Sequence, residues 1–201
     1  MQNITRKPFR FRTILPPGHI CYSTGSGEDQ ASSGTLNDEV PVLSGLTGQR
    51  VVFSEVFRAN LDILGAYTVR SCRDIELIVD VAVGALYLYD LVDCRIAFYA
   101  VQSSVNVADC RSISLSGFTS QMRITESETV RVNVQTNSAT ALVNCSEVSV
   151  GKPPEPDSHY RLALSRVPQF TEEYIRSDKW MTVNDFNSLN NSKSNWKFIE
   201  Q

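Results

Sequence analysis

Four short phrases recur in this chain, and their spacing limits what it can fold into more than any single residue does. Each is a small polar residue, two spacers, an aliphatic, one spacer and a second aliphatic. They are Cys72-x-x-Ile75-x-Leu77, Cys110-x-x-Ile113-x-Leu115, Ser127-x-x-Val130-x-Val132 and Cys145-x-x-Val148-x-Val150. Cys94-Arg95-Ile96-Ala97-Phe98 reads as a fifth phrase shortened by one residue. The phrases start 22, 16, 17 and 18 residues apart. That is too short for a helical-hairpin repeat and about the length of one coil of a parallel β-solenoid.

The stretches between the phrases agree. Val51-Val52-Phe53, Leu77-Ile78-Val79, Leu86-Tyr87-Leu88-Tyr89, Val105-Asn106-Val107, Met122-Arg123-Ile124 and Val130-Arg131-Val132-Asn133-Val134 alternate or run apolar over strand-like lengths. No helical period of ten or more residues interrupts them. Residues 43–151 therefore read as an all-β solenoid domain, and roughly 18 residues a coil predicts about six coils. Residues 1–42 read as a flexible tail, with Arg6, Lys7, Arg10 and Arg12 interleaved with Phe9 and Phe11, then a linker rich in Ser, Gly and Thr. Residues 152–201 differ again. Pro153, Pro154 and Pro156 stop a strand ladder, and the aromatic pieces after them read as short helices and loops capping the open solenoid.

Composition excludes several functions. The formal net charge is −3, which does not suit a nucleic-acid surface, and 42% hydrophobic content suffices for one buried core. No apolar run reaches the length of a membrane span, the first residues do not read as a signal peptide, and Gln2 is not a myristoylation site, so no membrane anchor is expected. The five cysteines form no C-x-x-C pair, and four of them fall in the phrases, so they read as buried free thiols in a cytoplasmic protein. There is no P-loop, no dinucleotide turn and no metal-ligand spacing, and His19 and His159 lie in loop-rich segments. The chain carries no self-contained catalytic set, and no cofactor or metal is expected.

What it does carry is a polar row on one outer face. If Met122 and Ile124 point inward, strand alternation sends Gln121, Arg123 and Thr125 outward. One coil earlier the same column holds Ser104 and Asn106, and one coil before that Tyr87 and Tyr89. These residues make a candidate partner-binding patch of phenol, amide, hydroxyl and guanidinium.

From Gly84 to Gly151 the chain resembles the C-terminal domain shared by the tubulin-binding cofactor C family and the related retinitis pigmentosa protein. The resemblance rests on Gln121-Met122-Arg123, which matches the family's Gln-x-Arg motif in register with the Cys94, Cys110 and Cys145 phrases. It extends back to Leu43-Ser44-Gly45-Leu46, and on to Trp180-x-x-Val183-x-Asp185-Phe186-x-x-Leu189 and Asn195-Trp196. It implies a right-handed parallel β-helix. It also implies a GTPase-activating protein for an Arf-like small GTPase, with Arg123 as the finger and Gln121 positioning it. Mg²⁺ and the water-orienting glutamine would belong to the GTPase. The further partners implied are αβ-tubulin and the other tubulin-folding cofactors, with a cytoplasmic, cytoskeleton-associated location. Where the family often has a glutamate, this chain has Val143, and Ser120 stands where a second glutamine is common. The alternative class is a non-catalytic β-helix module, either an effector of an Arf-like GTPase or an actin-binding domain like that of cyclase-associated protein.

Overall fold

The computed structural model describes residues 40–57, 64–186 and 194–199; the tail expected at 1–42 falls almost entirely outside these, as does Leu189. In chain order the elements are β1 Val42–Ser44, β2 Arg50–Val52, α1 Phe53–Val56, β3 Ala66–Arg73, β4 Glu76–Val92, β5 Arg95–Ala108, β6 Arg111–Thr125, β7 Glu128–Gln135, β8 Thr140–Val143 and β9 Val148–Val150. Then come α2 Ser158–Leu164, α3 Glu172–Arg176, β10 Val183–Asp185 and β11 Trp196–Phe198. Every strand pairing among them is parallel, which makes the molecule a β-solenoid.

The long strands bend as they run round the coil. Register shifts mark the bends, between Val79 and Ala85 in β4 and between Phe98 and Ser104 in β5. Three faces result. The first carries residues 76–79, 95–98, 114–117 and 131–134, the second 82–83, 100–101 and 118–119, and the third 85–89, 104–108 and 121–125. Inside, Leu77, Ile96, Leu115 and Val132 stack rung on rung, as do Leu86, Val105 and Met122, all at most 2% exposed. Each buried side chain of this kind contributes about 1.5–3 kcal/mol.

The register revises the reading of the shortened phrase. Cys72 pairs with Leu91, and Val92 with Arg111, so the column of small residues runs Cys72, Leu91, Cys110, Ser127, Cys145. Glu76 pairs with Arg95, which places Cys94 beside Ile75 in the aliphatic column. The phrase in that coil is complete, Leu91-x-x-Cys94-x-Ile96, with leucine and cysteine in exchanged positions. The coils are accordingly more even than the spacing of cysteines suggested.

Four coils close completely, from Cys72 to Asn144, where about six were expected. The stretch before Cys72 spends its residues on two short strands and on α1, whose Phe53 packs against Phe57 and Tyr67 with ring centroids 4.5 and 4.7 Å away. That aromatic group closes the N-terminal end of the core. At the other end the segment after Gly151 covers the solenoid as expected, and it also adds two rungs: β10 pairs with β8 on the third face and β11 with β9 on the first. Trp180, Val183 and Trp196 pack on the end of the core.

The helices of that segment lie along the side. Ala82, Ala100 and Phe118 form one column on the outside of the second face, and they are buried under Ala163, Leu164, Val167, Phe170 and Tyr174. Asp157 caps α2 through the backbone N–H groups of His159 and Tyr160, and Thr171 caps α3. A buried polar lock fixes α3. The Tyr174 hydroxyl donates to the carbonyls of Thr119 and Gln135 at 2.9 and 2.8 Å, and the Gln135 amide donates to the carbonyls of Tyr174 and Ser177 at 2.9 and 3.0 Å.

Tyr174→Phe leaves the Thr119 and Gln135 carbonyls buried without this donor. It should cost about 1–3 kcal/mol in urea unfolding with the β spectrum of the folded state retained. The thiols give a pH test. Burial pushes Cys110 up from an ordinary value of 9.0 to about 12, and it raises Cys72, Cys94 and Cys145 as well. The folded state holds these protons more tightly than the unfolded one, so the contribution is present below about pH 9 and is lost as pH rises toward 12. Urea midpoints measured at about pH 8 and about pH 11 should show the loss, and thiol-reactive dye should label the four cysteines slowly until the chain unfolds.

Candidate functional site

The third face is built by β1, β3, the second half of β4, the second half of β5, the end of β6, then β8 and β10. Met122 and Ile124 are 2% and 0% exposed, so the alternation that buries them drives Gln121, Arg123 and Thr125 outward. Ser104 pairs with Gln121, Asn106 with Arg123, and Tyr87 with Asn106. Tyr89 and Thr125 lie in the next outward column, with Ala108 between them. All seven residues expected on this face are therefore brought together on it, on rungs about 4.8 Å apart.

Each is held differently. The Asn106 amide donates to the Ser104 hydroxyl at 3.0 Å, which fixes the side chains immediately below the Gln121 and Arg123 rung. The rings of Tyr87 and Tyr89 stack with centroids 6.4 Å apart and planes 10° apart. Burial, and secondarily Tyr87, raises the Tyr89 phenol, so it stays neutral. Arg123 and Gln121 are exposed. The Arg123 backbone is paired with Asn106 on one side and Ala141 on the other, so its Cα cannot move without breaking the ladder.

The register also shows what the sequence alone did not. On the rung after Arg123 the neighbour is Ala141, and Val143 stands beside Thr125 instead. One rung further, Asn184 continues the Arg123 column through Ala141, and the Phe186 N–H donates to the Leu142 carbonyl at 3.0 Å, carrying the chain on along this face. Phe186 is 56% exposed. An apolar rim of Ala141, Val143 and Phe186 thus borders the polar patch. Phe186 is more than 60 residues from Arg123 in sequence, and its only signal was its place in the terminal Trp-Val-Asp-Phe pattern. Among the described residues no cluster of His, Cys, Asp or Glu could hold a metal, and no helix is long and apolar enough to cross a membrane.

Fold and face define a class: a parallel β-solenoid domain whose distinctive chemistry is an arginine on a rigid outer surface. The family model for tubulin binding cofactor C matches residues 64–186, more than half of the chain and the third face from β3 to β10, and the chain belongs to that family. Among solved structures, tubulin binding cofactor C from Leishmania major is similar, with 15% sequence identity and a TM-score of 0.48 over 58% of this chain and 79% of that one. No curated protein matches the chain.

The alternation makes a stability test that separates neighbours. Met122→Ala should cost about 2–5 kcal/mol through the cavity it opens. Arg123→Ala should change stability by less than about 1 kcal/mol, because it alters only a surface position. Thermal unfolding of both variants against wild type checks this.

Proposed function

We propose that the protein is a GTPase-activating protein of the tubulin-folding pathway, which supplies Arg123 as an arginine finger to the nucleotide site of an Arf-like small GTPase or of tubulin itself. The observation that carries this reading is the combination of an exposed Arg123 with a backbone fixed on both sides, in a chain of the cofactor C family. A finger works by bringing a fixed positive charge to the transferring phosphoryl group as negative charge spreads over it. An arginine on a solenoid rung needs only its own side chain ordered, and the planar guanidinium can hold two phosphate oxygens at once.

In this scheme the chain performs no chemistry alone. The partner contributes Mg²⁺ and the water-orienting residue. Gln121, two residues before Arg123 on the same side of the strand, contacts the partner beside the nucleotide and steadies the finger. Tyr87, Tyr89, Ser104, Asn106 and Thr125 form the polar contact surface, and Val143 with Phe186 packs against an apolar part of the partner. A second reading, a surface that binds a GTPase or actin without catalysis, is favoured by the apolar Ala141 and Val143 on the rung after Arg123.

Single-turnover GTP hydrolysis by an Arf-like GTPase, and separately by tubulin with the other folding cofactors, distinguishes the two. On the first reading wild type stimulates hydrolysis by about 10³–10⁵-fold. Arg123→Ala and Arg123→Lys both lose nearly all of the stimulation while retaining binding, since lysine keeps the charge without the fork. Binding with no stimulation by wild type would leave the scaffold reading standing.

A further inference from the structure

The first face, round the corner from Arg123, carries its own line of charge. Its outermost column runs Arg50, Glu76, Arg95, Ser114, Arg131, Ser149, Lys197, one residue per rung. Arg50 is paired with Glu76 at 3.5 Å. Arg95, Arg131 and Lys197 are exposed, and none has an ion-pair partner among the described residues. Arg131 is steadied by its Nε, which donates to the Asn133 side-chain oxygen at 3.2 Å. Glu76 stands in the row itself, beside Arg95 and engaged by Arg50, while Asp93 and Glu147 stand in the neighbouring corner column, where Glu147 accepts from the Thr129 hydroxyl at 2.9 Å. An open groove of about 640 Å³ follows the row from Arg50 to Arg131.

The spacing of the cations is set by the fold. They occupy alternate rungs, so their backbone positions are about 9.6 Å apart along a straight line. A polyproline II segment has three residues per turn at about 3.1 Å each, so every third side chain returns to the same side after about 9.3 Å. A β-strand returns a side chain after about 6.7 Å and does not match. An α-helix returns after about 5.4 Å and meets the row only on alternate turns, with a drift of about 1.2 Å each time. The serines on the intervening rungs, Ser114 and Ser149, offer hydroxyl donors to backbone carbonyls between successive carboxylates.

We propose that the Arg95, Arg131 and Lys197 row, which continues past the groove to Lys197, is a docking surface for an extended acidic segment of a partner protein, with carboxylates at every third residue. This surface is separate from the Arg123 face and does not depend on GTPase activation. Asp74 and Glu76, on the rung before Arg95, line the far end of the same groove and repel acidic residues, which sets where the segment stops.

Fluorescence anisotropy with the full chain tests it. One labelled peptide of about nine residues has glutamate at every third position with proline and alanine between; the other has the same composition with its glutamates adjacent. The spaced peptide should bind at least about fivefold more tightly, and added salt should weaken binding. Arg95→Ala and Arg131→Ala should each weaken it about fivefold, and Arg131→Glu further, with the folded spectrum unchanged. Arg176→Ala, on α3, should leave it as it is. Equal binding of the two peptides, no binding of either, indifference to the Arg95 and Arg131 substitutions, or binding only of a phosphoserine peptide would each overturn the proposal.

Discussion

The structure depends on one backbone feature, a corner repeated in every coil with two residues in the left-handed region. The first set is Ser71, Asp90, Asp109, Glu126 and Asn144, and the second is Asp74, Asp93, Ser112, Thr129 and Glu147, all with φ near +50°. Left-handed residues other than glycine cost about 1–2 kcal/mol each. They are tolerated because the corner bonds to the next coil: Asp74 donates to Val92, Asp93 to Arg111, Asp109 to Thr125, Glu126 to Val143 and Thr129 to Ser146. The small residue between the two helps. Cys72, Cys110, Ser127 and Cys145 each donate from the side chain to the carbonyl two residues earlier. A bulky polar group would not fit there, and a purely apolar one leaves that carbonyl without its donor. Leu91 has no such side-chain donor, and in that coil the thiol of Cys94 donates instead to a different corner carbonyl, that of Val92, at 3.1 Å.

This explains what could be read from the sequence and what could not. The inward alternation of Met122 and Ile124 followed from local pattern, and so did the outward column from Tyr87 through Asn106 to Arg123, because equal coils put residues about 17–19 apart side by side. The exchange of leucine and cysteine at 91 and 94 hid the true register, since cysteine is small enough for the polar position and apolar enough for the aliphatic one. The surplus of expected coils came from treating every β-run after Leu43 as part of a closed turn. The second face was hidden for another reason. Val81-Ala82-Val83, Tyr99-Ala100-Val101 and Gly117-Phe118-Thr119 are continuous runs without alternation, the mark of strands covered on both sides. Their cover, α2 and α3, is too short to show a helical period.

Gly117 marks how tightly the coil turns there. Its φ is +147°, and a Cβ at this position would meet the Phe98 carbonyl oxygen at 1.9 Å. The bend between the first and second faces therefore brings backbone against backbone with no room for a side chain. Such closeness fixes the angle between faces, and through it the direction in which Arg123 projects relative to the helices on the second face.

The three faces consequently carry different chemistry for physical reasons. The second face is apolar on its outside and had to be covered, which is why the C-terminal segment lies along it and is locked by Tyr174 and Gln135. The ends of the core are closed by Phe53, Phe57 and Tyr67 at one side and by Trp180, Val183 and Trp196 at the other. Nothing in the core requires cover on the first and third faces, whose outward columns are mostly polar. Their side chains are free to vary without cost to the ladder, yet each is held on a backbone that cannot drift. The backbone that carries Arg123, or a row of cations two rungs apart, is thereby fixed in space by the packing of its inward neighbours. In such a fold, stability and recognition are carried by alternate residues of the same strand.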